Sequence, residues 1–392
     1  MKVVRSWKYR IYPTKEQEIA FQAYLEECRK LWNYLLSYTR EYYKRTNKLP
    51  TRNQLYILSK KTKLFSQVSQ NVADKLVKSF RRTIAIKKKG GKIAFPRFKT
   101  AERMKSFTYP QFGFTLTEHL LLSKIGEIRI KKHRKLKGKI KTLTIKKMPS
   151  GKWFAIFNSE VEMTQSPNEG QKVGIDLGIE HFVALSNNKI IDNPRHLKKA
   201  EHRLGQAQKL LSRKKKASKN RNKARLRVAR AYERVVHSRR DFLHKTSRML
   251  VNSYSLIAIE ELNVKGLSQG FLAKEILDCS WAEFSRMLCY KAEEAGSEVV
   301  LVDPARTSQE CSKCGLIQKK TLAQRQHTCS CGANMHRDLN AAINVLNRAT
   351  GGRRKARSFR PETLGEKKPL SEGTRFFDDS GNSTCEGRST IP

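Results

Sequence analysis

Hydrophobic positions change their period several times along the chain, and each change marks a segment. The run KVVRSWKYRIY over 2–12 reads as a strand ended by Pro13. Thr14, with Gln17 three residues on, has the pattern of a capping box. Phe21, Leu25, Cys28, Trp32 and Leu35 then step by four and three along one buried stripe of a long helix. A second helix is predicted from about Asn71 to Lys87, with Val72, Leu76, Phe80 and Ile84 in one row. Its opposite face carries Lys75, Lys78, Arg81 and Arg82, a pattern that fits a solvated face or a phosphate-facing one. From Gly90 to Glu162 the period falls to two in Glu127–Lys131, Leu143–Lys147 and Trp153–Asn158, with Pro149-Ser150-Gly151 as a turn. This predicts a small, mostly β domain, followed by a polar linker around Gln165–Gly170.

Beyond the linker, Gln171 to Ile190 reads as a hairpin of KVGIDLGI and HFVALSN, with Asn187-Asn188 in the turn. A long helical hairpin is predicted over 194–251, with Ala224, Val228, Ala231 and Val235 at helical spacing on its returning arm. Its tip, Ser212–Lys223, holds seven basic residues in twelve and no acid. SLIAIEEL (255–262) and EVVLVD (298–303) read as core strands on either side of a helix at Trp281–Ala295. His336–Ala349 forms a last helix, and the polar tail from Gly351 is predicted to be disordered.

Charge changes this picture most. The 392 residues suffice for two or three domains, and 38% apolar residues support buried cores. Yet 81 Lys and Arg against 35 Asp and Glu leave a net charge of +46. Such an excess strains a compact fold unless a polyanion neutralises it. Nucleic acid is the expected partner, its phosphates releasing counterions as Lys and Arg bind. No apolar run approaches a membrane span, and the start shows no secretory signal, so no membrane partner and a cytosolic location are expected.

Of eight cysteines, Cys28, Cys279, Cys289 and Cys385 are scattered and read as core fillers or idle thiols. Cys311, Cys314, Cys329 and Cys331 lie within 21 residues, as Cys-x-x-Cys, fourteen residues, then Cys-x-Cys. Four thiolates at this spacing predict one structural zinc, able to fold a short polar segment. The tight Cys-x-Cys half leaves His327 open as a substitute ligand. Three acids also stand out. Asp176 lies mid-strand, where a charge is costly unless it binds something. Alternation groups it with Gly174 and Gly178, a face otherwise bare. In SLIAIEEL the same logic puts Glu260 beside Ala258 and favours it over Glu261. Asp338 opens the final helix, where a carboxylate ordinarily serves as a cap. Together, two acids on core strands and one opening a helix fit an RNase H-type arrangement.

The order GIDLGI, IAIEELNVKGL, TSQECSKCG, CSCG, HRDLNAAINVL resembles the TnpB (OrfB) family of insertion-sequence proteins, relatives of type V CRISPR effector nucleases and Fanzor proteins. The likeness runs from YRIYPTKEQ through PRFK (96–99) to Val345, nearly everything but the tail. It implies a multidomain α+β chain with residues 1–13 as the first strand of a small β-barrel (WED-like) domain completed by 90–168. Residues 14–89 form a helical (REC-like) domain, and 171–306 a RuvC/RNase H-like α/β core carrying the basic hairpin 194–251. A zinc ribbon is inserted at 307–333, 334–350 is the last core helix and 351–392 the tail. The resemblance also implies an RNA-guided DNA endonuclease with Asp176, Glu260 and Asp338 as catalytic acids. Its guide RNA would come from the transposon end, and its double-stranded target DNA would carry a short adjacent motif. Such a triad holds two Mg²⁺ about 3.5–4 Å apart. Nucleic acid is expected at Lys75, Lys78, Arg81, Arg82, Arg213, Lys214, Lys215, Lys216, Lys219 and Arg221, with Trp7, Tyr9 and Tyr12 either stacking on nucleotides or packing in the core. His336 departs from relatives that carry an acid before Arg-Asp. The rival readings are a non-catalytic RNA-guided DNA-binding regulator and a transposase. The intact triad disfavours the first.

Overall fold

The computed structural model describes residues 2–88, 90, 95–163, 166–321, 324–351, 357 and 358. Strand β1 (Lys2–Tyr12) alternates as its sequence does: Trp7, Tyr9 and Ile11 turn inward and are buried. Trp7 donates from Nε1 to Ser159 Oγ at 2.7 Å, and Tyr9 is fully buried. Both are therefore core residues, and of the three aromatics weighed for stacking only Tyr12 is exposed. Pro13 ends the strand, and Thr14 caps α1 (Lys15–Thr46) with the reciprocal Gln17 contact of a capping box. The buried stripe of α1 meets α2 (Arg52–Ser59) and α3 (Ser66–Lys88).

The next strands are β2 (Ser106–Tyr109), β3 (Phe114–Leu116), β4 (Leu120–Leu122), β5 (Gly126–Lys131), β6 (Lys139–Lys147) and β7 (Trp153–Glu162). With β1 they form one antiparallel sheet, ordered β2-β6-β7-β1-β5-β4-β3. Helices and sheet share a single apolar core across the boundary at 89–90, with Phe21 meeting the Trp153 ring at 4.8 Å. That packing draws Lys75 away from the basic face expected of it: its Nζ donates to Thr108 Oγ1 on β2 at 2.9 Å. Lys78, Arg81 and Arg82 do lie exposed.

The expected linker is a clamp instead of a spacer. Asn168 Nδ2 donates to the carbonyls of Val251 and Tyr254 and to Ser297 Oγ, at 2.9–3.2 Å. The chain then enters β8 (Gln171–Asp176), β9 (His181–Leu185) and β10 (Ile190–Asp192), so the expected hairpin is a three-stranded meander. The helical hairpin is α4 (His196–Ser212) and α5 (Lys219–Ser253). At its tip Arg213 to Lys216 and Lys219 are exposed, but Arg221 turns inward to the carbonyls of Leu211 and Lys214 and holds the turn closed. Strand β11 (Tyr254–Glu260) leads through α6 (Val264–Leu267) and α7 (Ala273–Cys279) to α8 (Trp281–Ala295), then β12 (Glu298–Val302). Strands β13 (Gln326–Thr328) and β14 (Asn334–His336) pair with each other, α9 (Arg337–Thr350) follows, and β15 (Arg357–Ser358) adds to the edge of β12. That strand falls inside the tail predicted to be disordered; Cys385 and the rest of the tail lie outside the described residues.

The second sheet runs β10-β9-β8-β11-β12-β15, and β8, β11 and β12 are mutually parallel. Such strands need cover on both faces. One face packs on α5, α7 and α8 through Val173, Ile175, Ile257, Phe284 and Leu288. The other receives α9. The bare side of β8 is where this helix lies: a Cβ on Gly174 would sit 2.1 Å from Ala342 O and 2.7 Å from Leu346 N. Gly174→Ala must therefore push α9 off the sheet. It should cost about 1–3 kcal/mol of stability, read as a lower melting temperature.

Candidate active site and metal centre

Parallel strands bring their carboxyl ends to one edge, the usual place for a site in an α/β sheet. Asp176 is the last residue of β8 and Glu260 the last of the adjacent β11, with Ile175 paired to Ile259 one step before. Asp338 enters from the first turn of α9, whose close approach at Gly174 sets it over the same strands. Glu260 and Asp338 are only 8% and 7% exposed. Glu261, the neighbour weighed against Glu260, points to solvent.

Three acids crowded out of water cannot all ionise cheaply. Burial pushes the Asp176 carboxyl well above the usual carboxylate range, and the charges of Glu260 and Asp338 push it further, while Arg337 pulls it down. Burial likewise raises Glu260, against the Thr307 hydroxyl, which donates to its Oε1 at 2.5 Å, and the charge of Arg348. The Arg337 guanidinium lies 3.6 Å from Asp338 Oδ1. His336, the departure noted in the sequence, caps α9, its Nδ1 accepting from the Asp338 amide at 3.3 Å. The charges of the other two acids add to burial in raising Asp176; a divalent ion would relieve that crowding, and the three carboxyls would offer it oxygen donors only.

Sequence reasoning assigned no role to Thr307, Arg337, Asn340 or Asn344. The available signal was Asn340 and Asn344 four apart, polar residues sharing a face of a helix whose Ala341, Ala342 and Val345 are buried.

The cysteine cluster closes as its spacing predicts. The four Sγ atoms lie within 4.8 Å of one another, with Cys311 to Cys331 at 3.7 Å and Cys314 to Cys329 at 3.6 Å. A tetrahedral zinc with bonds of about 2.3 Å has S···S edges of about 3.8 Å, so the set fits zinc and is too open for a disulfide. Cys329 is pulled down to about 6, first by hydrogen bonding at the Cys331 backbone. His327 is buried on β13, where the Lys320 ammonium donates to its Nδ1, and stands outside the cluster. Among the described residues no helix is long and apolar enough to cross a membrane.

Two expectations follow from this chemistry. Metal analysis of the purified chain should find about one zinc per chain, and Cys311→Ser should lose it. The second concerns pH. An acid raised in the fold favours folding below its unfolded value of about 4 and loses that contribution as pH rises through its folded value. Asp176→Asn should therefore raise the melting temperature of the metal-free protein at neutral pH, with the gain vanishing towards pH 4. Added Mg²⁺ should stabilise the parent more than this variant.

Comparison with known proteins bears on the family and the fold. Family models described as "Probable transposase", "Cas12f1-like, TNB domain" and "Helix-turn-helix domain" match residues 156–270, 281–345 and 1–48. In this structure the last of these spans holds β1 and the single long helix α1. A putative RNA-guided DNA endonuclease of Streptomyces pristinaespiralis is 36% identical over 362 residues, covering 88% of this chain and 89% of that one. The putative RNA-guided DNA endonuclease InsQ of Escherichia coli is 28% identical, with 88% and 92% covered. A solved complex of Cas12f1 with sgRNA and target DNA shares the fold at a TM-score of 0.58 and 13% identity, covering 88% of this chain and 99% of that one. The chain belongs to the TnpB family of RNA-guided DNA endonucleases, relatives of the type V effectors.

Proposed function

We propose that this chain takes a guide RNA from the end of its own transposable element and cuts matching DNA beside a short adjacent motif. Hydrolysis would occur at Asp176, Glu260 and Asp338. The observation that carries the proposal is the convergence of these acids at one sheet edge, close enough that Glu260 and Asp338 act on the Asp176 charge. The names of the relatives supply the RNA guide and the DNA substrate, and the Cas12f1 complex supplies the precedent for holding both.

In this reading Asp176, Glu260 and Asp338 hold two Mg²⁺, which when bound activate a water and stabilise the leaving oxygen. The protein's own part is to hold the three carboxyls together out of water, with Arg337 beside Asp338 and the charge of Arg348 acting on Glu260 as partial offsets. The seven-stranded sheet acts as the WED-like domain, α1–α3 as the REC-like layer and the six-stranded sheet as the RuvC-like core. Guide–target pairing would set sequence choice. Exposed Lys78, Arg81, Arg82, Arg213, Lys214, Lys215, Lys216 and Lys219 would bind phosphates without reading sequence.

The test is cleavage of a guide-matched plasmid by the RNA-loaded protein with Mg²⁺. Asp176→Ala and Glu260→Ala should each abolish cutting while RNA and target binding persist, and exposed Glu261→Ala should cut like the parent. A parent protein that binds guide and target but does not cut would leave a binding regulator as the better account, and full activity in Asp176→Ala would place the catalytic acid elsewhere. A dead Glu261→Ala with an active Glu260→Ala would move the metal site to the neighbouring residue.

A further inference from the structure

The carboxylate cluster and the cysteine cluster are joined by a run of buried and half-buried hydrogen bonds. From the carboxylate end, the Thr307 hydroxyl donates to Glu260 Oε1 at 2.5 Å. The Thr307 carbonyl accepts from Asn344 Nδ2 at 2.9 Å, and the same Nδ2 donates to the Glu310 carbonyl at 2.7 Å. That carbonyl also accepts from Asn340 Nδ2 at 2.7 Å, so both its lone pairs are used. Asn340 Oδ1 accepts from the Ser312 amide at 2.9 Å, and Ser312 follows the buried thiol Cys311. Thr307 and Asn344 are each 5% exposed and Asn340 fully buried.

Both asparagines stand on α9, two and six residues beyond Asp338. The segment 307–312 is thus splinted to the helix that carries one carboxylate and hydrogen-bonded to another. Buried asparagines often do no more than satisfy backbone groups. Here, however, the run ends on Glu260 at one side and on the residue after Cys311 at the other. We infer that Thr307, Asn344 and Asn340 are positioning residues that make the cation affinity of the carboxylate site depend on zinc at the cysteines. The inference rests on the reading that Asp176, Glu260 and Asp338 hold the cation. With zinc bound, Cys311 is anchored, the 307–312 segment lies against α9, and Thr307 orients Glu260 towards Asp338. Without zinc the segment loses its far anchor, and Glu260 loses the donor that fixes its rotamer.

Calorimetric titration of the full chain with Mn²⁺, free of nucleic acid, tests this without reading activity. Zinc removal by 1,10-phenanthroline, dialysed away beforehand, should weaken Mn²⁺ binding about tenfold or more. Thr307→Val should weaken it similarly with zinc content unchanged, and Thr307→Ser, which keeps the hydroxyl, should bind like the parent. In Thr307→Val, zinc removal should add little, because the run is already cut. Unchanged Mn²⁺ affinity in the zinc-free parent overturns the inference whether or not the valine variant folds. So do full additivity of the two losses and a serine variant as weak as the valine one. A zinc-loaded parent that binds no Mn²⁺ removes the carboxylate reading itself.

Discussion

The approach of α9 to β8 is the contact on which the rest depends. Backbone lies almost against backbone at Gly174, because no side chain intervenes between that strand and the turn from Ala342 to Leu346. Only at this separation does the first turn of the helix carry Asp338 over the ends of β8 and β11. The apolar side chains of the sheet stabilise the contact from beneath, with Ala258, Val300, Val302 and Val345 forming a small cluster under the helix. The acids gain nothing from this proximity by themselves, since Asp176 is driven towards its neutral form. Packing energy holds together a charge arrangement that would otherwise spread apart, the condition that preorganisation of charged groups requires.

The basic excess poses the opposite problem, and scarce acids answer it at the joints. Glu294 on α8 takes Arg5 of β1 at 2.8 Å and Arg248 of α5 at 2.7 Å, bridging the two sheets' bodies. Glu233 on α5 takes Lys152 at 2.6 Å and the Ser150 hydroxyl at 3.0 Å from the turn before β7. Asp278 on α7 holds Arg239 at 2.6 Å and accepts the Leu197 amide at the start of α4. Most of these partners are half-buried, where an ion pair is screened less than at the surface. With so few carboxylates in the chain, each one placed at a joint matters more to the assembly than any single lysine.

Elements were legible wherever local chemistry decided them. The Thr14 capping box, the period of α1 and α8, and the cysteine spacing each carry their own physical cause within a short window. Glu260 ends β11 buried and Glu261, just past the strand, is exposed, a difference that alternation alone does not decide because both faces of β11 are covered. What stayed illegible depends on partners distant in sequence. Lys75 looked like part of a free basic face because Thr108, its acceptor, lies 33 residues on. Arg221 looked like a phosphate ligand because an inward turn onto carbonyls leaves no trace in composition. Trp7 and Tyr9 were ambiguous between core and stacking until Ser159 and Phe157 of β7 and the 133–134 segment packed against them. The bare face of β8 was legible as small, while the helix that covers it was not, since periodicity reports size and not what lies opposite.

The insertion of the ribbon between β12 and α9 bears on how the chain matures. Residues 303–336 separate the last parallel strand from the helix that completes the acid set. Closing a flexible loop of that length costs entropy that grows as about (3/2)RT ln n, and a metal that knots its middle shortens the loop before the helix docks. During synthesis Asp176 and Glu260 leave the ribosome long before Asp338, with the thiols between them. Folding order thus makes the set of three acids one of the last features of the described fold to be completed, after the basic helical hairpin and the seven-stranded sheet have left the ribosome.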